Sequence, residues 1–351
     1  MKKTIYIAIF ILTFSLIFTG CGHKNNELTE NDDEIVIIDN DEDTKEDEEI
    51  ENKGIPSPLS GILAPEEKVN RRPVAVMFDN HPRARWQAGL SQAEIIYEFM
   101  VEAPYTRYMG IYLINDPKSL GPIRSSRPYF VTTFLEYDPV YVRVGGSEQA
   151  KKDIINLKIA DIDGLSSSKE VFWRYKGTNK KGPHNLYSSM EIIRKTQEER
   201  KYKLIGDYKG FSFYSTDTDI EGSVAKNVFI RYNRENTTLY TYDEEKRIYT
   251  RKKDGKLHID EYDNTPITAK NIIIQEANTK IIDKIGRLSI DLIGKGKGMF
   301  ITNGKVQKIT WEKENRSSKT YFLDESGNEI KLNPGITWIQ VTNLNPDIRI
   351  D

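Results

Sequence analysis

The sequence predicts an α+β fold, with a mixed α/β domain over residues 55–209 followed by a smaller, mostly antiparallel β-rich domain over 210–351. Three observations predict it. As far as Lys209, apolar runs of strand length alternate with helix starts. Beyond Gly210 short β-type runs dominate, a shift in composition at that point. Asp254-Gly255 and Asn303-Gly304 are the dipeptides that two-residue hairpin turns require, because both central residues need positive φ. Ahead of these two domains, residues 1–20 have the layout of a signal peptide and residues 21–54 that of an acidic tether.

The signal begins with Lys2 and Lys3, continues through an apolar run from Ile5 to Phe18 broken by Thr13 and Ser15, and closes on Thr19-Gly20-Cys21. A spanning helix needs about 20 apolar residues, and this run is shorter. The end of the run resembles a lipobox, with Phe18 standing where Leu is usual. Cys21 is the single cysteine of the chain, so an internal disulfide is excluded and thioether lipidation is its expected use. A diacylglyceryl group there would hold the protein on the extracytoplasmic face of the cell membrane, since two acyl chains anchor stably where one is marginal. The tether holds twelve acids between Asp32 and Glu51, with Lys45 as the single cation among them, and is expected to be disordered. Ile35-Val36-Ile37-Ile38 interrupts it as a weak strand, a docking motif or a transient cluster. A coil of this length spans roughly 35 Å.

The chain carries a net charge of −2, unevenly placed. Residues 1–53 hold five lysines against fourteen acids, nine negative charges net, so the remainder carries seven positive charges. A basic body near a membrane suits anionic lipid headgroups or anionic wall polymers, and nucleic acid is not an expected partner outside the cell.

In the first domain, Pro73 to Phe78 is a buried-strand run. Ser91 and Glu94 form a capping box ahead of Ile95–Glu102, yet the alternation of Ile95, Tyr97, Phe99 and Val101 favours a strand, paired with Arg107–Ile114 across Ala103-Pro104. Pro139 to Val144 is a further strand. Helices are expected at Pro128–Tyr137, Glu148–Leu157 and Ser188–Lys201, the last opened by the capping box Ser188/Glu191. In the second domain the strands are Val228–Tyr232, Thr238–Tyr242, Ile248–Lys252, Lys256–Glu261 and Asn271–Gln275. Lys295-Gly296-Lys297-Gly298 is expected to be a turn feeding a strand, and Trp311 and Trp338 to pack a small β core.

From Arg72-Pro73-Val74-Ala75-Val76-Met77-Phe78-Asp79-Asn80-His81-Pro82 onward the chain resembles the YerB family of bacterial lipoproteins. The same resemblance is carried by Gln92–Glu98, Thr106-Arg107, Gly121–Pro128, Val144–Ser147, Gly182-Pro183-His184-Asn185 and Leu332–Trp338. It implies an N-terminal and a C-terminal domain, both of unknown function.

Several constellations could carry chemistry. Asp79, Asn80 and His81 follow a predicted strand, where α/β sites usually lie. His184 and Asn185 sit in a second loop-like motif, and convergence of His81, His184 and Asp79 would make a metal or acid–base site. Without convergence, Asp79 and Asn80 would cap a turn and each His would bond the backbone. No HExxH or paired-cysteine spacing supports a metal, and no cofactor is expected. Glu98 and Glu102, four apart, share a face of either a helix or a strand. On a strand they lie about 13 Å apart, too far for a paired-carboxylate hydrolase. Arg107 is their expected partner across the turn. Arg124-Ser125-Ser126-Arg127 precedes a helix, and Val144-Gly145-Gly146-Ser147 runs from a strand into another. Arg124, Ser125, Arg127, Gly145 and Gly146 could hold an anion, with Arg83, Arg85 and Arg143 on the same basic face; the competing expectation is that these arginines pair with Glu98 and Glu102. Ser147 is expected to be a helix N-cap.

Two functions fit. The first is a surface-anchored binding module for an anionic wall polymer, a peptide or a protein partner. The alternative is a cell-envelope hydrolase or transferase built on Asp79, His81, Glu98, Arg124, Arg127 and His184. A solute receptor with two similar α/β lobes fits less well, because the second half is β-rich.

Overall fold

Residues 54–351 are described by the computed structural model; the signal segment, Cys21 and the acidic tether through Lys53 lie outside the described residues. In chain order the main elements are β1 (Val74–Asp79), β2 (Ile95–Met100), β3 (Thr106–Tyr112), α1 (Pro128–Phe134), β4 (Val140–Arg143), α2 (Glu148–Asn156), β5 (Asp161–Asp163), α3 (Met190–Glu199), β6 (Asn227–Asn233), β7 (Asn236–Asp243), β8 (Ile248–Lys253), β9 (Asn271–Glu276), β10 (Gly294–Thr302), β11 (Lys305–Lys313), β12 (Thr337–Thr342) and β13 (Asp347–Ile350). The protein is sheet-rich α+β. No described helix is long and apolar enough to cross a membrane.

An 11-stranded mixed sheet runs in the order β11-β10-β9-β12-β2-β3-β1-β4-β5, with short strands adding to β11. Its centre is the parallel pairing of β12 with β2, from Thr337↔Ile95 to Val341↔Phe99. Strands from both halves of the sequence therefore share one hydrogen-bonded ladder. Six strands form a second sheet, built around β8-β7-β6-β13.

Period-two alternation sets the layers. In β1, Ala75 and Met77 face one core, which takes in Phe130, Val131 and Phe134 of α1 and Ala150 and Ile154 of α2. Val74, Val76 and Phe78 face the other, closed by Met190 and Ile193 of α3 and by Val228, Ile230 and Tyr240 of the second sheet. The same alternation divides the tryptophans. Trp311 lies in the first core and Trp338 in the second, so they do not share one small β core.

Other expectations are corrected locally. The strand favoured over a helix at Ile95–Glu102 is present as β2, paired antiparallel with β3, and the Ser91/Glu94 capping box opens no α-helix. Glu94 instead accepts from the Ser57 and Ser60 hydroxyls and from the backbone of Leu113 and Ile114. The third helix is capped by Ser189, whose hydroxyl accepts from Ile192 N, rather than by Ser188. Residues 295–298 lie inside β10 and not in a turn. Position 296 takes glycine because a Cβ there would stand 2.3 Å from the Trp311 indole nitrogen. Past Leu257 the predicted strand to Glu261 leaves the sheet, drawn away by buried Asp260, which accepts from the backbone of Gly89 and Ser91.

Candidate functional site

The end of β1 sends two adjacent polar residues to opposite faces of the sheet. Asp79 continues the parity of Ala75 and Met77, and Asn80 that of Val76 and Phe78. The two residues consequently belong to different polar clusters.

Asp79 collects a largely buried cluster. Its Oδ2 lies 2.8 Å from His184 Nδ1 and 3.1 Å from Arg124 Nε, and its Oδ1 accepts from His81 N at 3.0 Å. The Arg124 contact is an ion pair without hydrogen-bond alignment, which leaves that buried Nε unsatisfied. The His81 and His184 rings stack with centroids 4.5 Å apart, and Tyr105 flanks His81 at 4.4 Å. His81 Nδ1 accepts from Arg83 N at 3.0 Å, which fixes the neutral ring with its proton on Nε2. Burial lowers the His81 pKa, and His184 lowers it further.

Arg107 stands across the ladder from Asp79. It is 7 % exposed and donates from Nη1 to Ser125 O at 2.7 Å, with no carboxylate among the described residues in ion-pair contact. Burial, then the neighbouring Arg127 charge, pull its pKa down to about 10, and the field of Asp79 partly offsets them. Arg107, Arg124, His81 and His184 thus gather around one carboxylate. No group of three His, Cys, Asp or Glu side chains among the described residues is placed to hold a metal ion. His184 also lines a cleft of about 580 Å³ with Arg83, Arg85, Lys180, Lys181 and Glu261. In that cleft Lys180 Nζ is held by Glu261 at 2.5 Å and by Tyr187 OH at 3.0 Å.

Asn80 leads to a buried cluster between the two sheets. Its amide donates to Thr106 Oγ1, which donates to Glu98 Oε1, each at 2.7 Å. Glu98 is fully buried and pairs with Arg251 at 2.5 Å and Lys253 at 2.8 Å, both also fully buried. Arg251 lies 4.3 Å from the Trp338 ring centroid, and His258 joins Arg251 to Gln87. Burial would raise the Glu98 pKa, but Lys253 and Arg251 outweigh it and hold it at about 2.

Several predicted site residues therefore part from the site. Glu98 and Glu102 do not share a face: β2 ends at Met100, and Glu102, in the following turn, takes both Nε and Nη2 of Arg127. Arg107 pairs with neither glutamate. Arg143 is spent on Asp161 and Asp163. Gly145 and Gly146 form a bridge to Ser126 rather than an open anion nest: Gly145 N donates to Asp163 Oδ1 and Gly145 O accepts from Ser126 N. Ser147 caps α2 through Ala150 N at 3.3 Å. Asn185 ties its own loop to Tyr175 O and Lys180 O. Arg85 bonds Asn80 and Asp254. Arg83 is exposed at the cleft.

The reading from residues missed Arg251, Lys253, Lys180 and Tyr187. One signal was present, since the alternation that buries Tyr249 puts Arg251 and Lys253 on the same face of β8.

The chain matches two family models, the N-terminal domain of a protein of unknown function (DUF3048) over residues 59–203 and its C-terminal domain over residues 228–339. It is 36 % identical over 299 residues to "Putative lipoprotein YerB" of Bacillus subtilis (strain 168), covering 84 % of this chain and 88 % of that protein. The crystal structure of YerB from Bacillus subtilis superposes with a TM-score of 0.76 at 34 % identity, covering 84 % of this chain and 99 % of that one. Two matched domains, in order, and a relative alike along most of both chains place this protein in the DUF3048 family, alongside YerB.

Proposed function

We propose that the protein is a lipoprotein anchored through Cys21 on the outer face of the cell membrane, and that its body binds an anionic ligand through phosphate or carboxylate groups. The observation that carries the ligand reading is Arg107, more than nine-tenths buried, hydrogen-bonded to Ser125 O and without a carboxylate partner among the described residues. A guanidinium withdrawn from water without an ion pair is costly unless an anion completes it. Arg124 gives Asp79 only its Nε edge, and its Nη atoms make no protein hydrogen bond among the described residues. The site offers a fork for two oxygens.

Calorimetry of the full chain with inorganic phosphate tests the reading, with acetate as the carboxylate arm. Heat of binding is expected from at least one. Arg124→Ala should weaken it roughly 10- to 100-fold, the worth of a hydrogen bond to a charged group. Arg231→Ala, at an exposed side chain of the second sheet, should leave it unchanged. Absence of heat from both anions, or equal weakening by both variants, counts against the site. The anchor has its own test: Cys21→Ala should release the protein to the medium or leave an unprocessed precursor. Membrane retention of a correctly cut Cys21→Ala protein would sink it.

A second reading is favoured by the Asp79–His184 contact. A carboxylate on Nδ1 orients the ring and leaves Nε2 to act as acid or base, as envelope hydrolases and transferases require. Glu98 and Arg127, engaged elsewhere, take no part in it.

A further inference from the structure

We propose that the hairpin of Thr279–Ile281 and Leu288–Ile290 docks on the anionic surface of the membrane, with Ile281, Ile282 and Ile285 entering the headgroup layer and Lys280 and Lys284 meeting lipid phosphates. The hairpin belongs to neither large sheet. Its second strand is pinned, because Leu288 is buried and Ile290 packs against the first core. Its turn is built: Asp283 Oδ1 accepts from Ile285 N at 2.9 Å and Arg287 N at 3.1 Å, and its Oδ2 pairs with Arg287 Nε at 2.8 Å. The ordered turn holds three isoleucines outward, at 71 %, 61 % and 68 % exposure.

Single exposed aliphatic side chains are ordinary, but three within five positions form a patch. Lys280 and Lys284 alternate with them and have no ion-pair partner among the described residues. Apolar tips interleaved with unpaired cations complement an anionic leaflet, which takes the apolar atoms at its acyl boundary and the ammonium groups at its phosphates. A soluble protein partner with an apolar groove would satisfy the isoleucines as well, but the charge match and the proximity of a bilayer favour lipid. That proximity rests on the lipoprotein reading.

The test uses the full chain with a polarity-sensitive fluorophore on Ile282→Cys, and on Leu257→Cys of the second sheet as the control. Mass spectrometry of Cys21 first reports the lipid, so that failure of the anchor is read separately. The same labels on a Cys21→Ser chain, given phosphatidylglycerol vesicles from outside, read the hairpin without the anchor. The expected result in both formats is a blue shift and protection from acrylamide at position 282 and neither at 257. Lys280→Glu/Lys284→Glu should reverse the protection, since each basic residue near an anionic leaflet is worth about fivefold in partitioning. Equal acrylamide access at 282 and 257 overturns the proposal. So does protection that persists in lipid-free detergent and grows with protein concentration, which would assign the patch to a second copy of this chain.

Discussion

Glu98 brings one negative charge into a space that also holds Arg251, Lys253 and His258, all withdrawn from water. Two cations share one carboxylate, and Arg251 cannot give up its proton, so the burial penalty falls on Lys253, whose pKa drops to about 8. The His258 ring, lowered by burial and by Arg251, stays neutral. Glu98→Gln should cost roughly 3–5 kcal/mol in urea unfolding, because it leaves two buried cations uncompensated; a loss below about 1 kcal/mol would show that they relax to water. Linkage gives the sign in each pH window. Glu98 is held below its ordinary 4.5, so its contribution is complete above that pH and is lost as pH falls toward about 2. Lys253 binds its proton less tightly folded than unfolded, so stability should rise between about 8 and 10.5, and Lys253→Met should flatten that rise. Little of this was legible from residue types. A glutamate on a strand with an arginine across the turn suggests a local pair, whereas the partners that win come from β8, more than 150 positions along the chain. Asp79, His81, Arg124 and His184 were legible because each sits in a loop motif beside a strand or helix end, and the fold brings those ends together.

Among the elements, β10 shows how side-chain volume overrides turn chemistry. Two glycines between lysines suggest a turn, but Gly296 is extended beneath the Trp311 indole, and Gly298 faces Ile274 O, which a Cβ would meet at 2.4 Å. Glycine is present here for close approach and not for positive φ. The true turns, Asp254-Gly255 and Asn303-Gly304, have positive φ at both positions, as their sequences predict. Gly296→Ala should displace Trp311, break its hydrogen bond to Glu276 O, and cost roughly 1–3 kcal/mol. The loss should appear as a lower Tm together with a changed tryptophan emission; unchanged emission would mean that the indole has room to give. Helix starts were the most legible elements, since a cap is local: Ser147 was recognised, and the third cap was placed one residue early, with Ser189 in the role given to Ser188.

Across the whole molecule, the sequence suggests a boundary near Gly210, where helix signals give way to strand signals. Composition reports the kind of element and not its neighbour in the sheet. β9 and β12 complete the ladder begun by β2, and the buried Glu98 of the first half is satisfied by Arg251 and Lys253 of the second. Separating the halves would expose the apolar edge of β2 and strand a buried carboxylate opposite nothing. The two halves should therefore melt as one. Scanning calorimetry of the full chain should give a single transition whose calorimetric and van't Hoff enthalpies agree, and pieces spanning 54–209 and 210–351 should fold together and not apart. Two resolved transitions, with the later half retaining its own near-ultraviolet signal when alone, would show that the shared sheet is a contact between finished domains. A single transition would mean that the ladder from Ile95↔Thr337 to Phe99↔Val341 is part of the core that both halves need in order to fold.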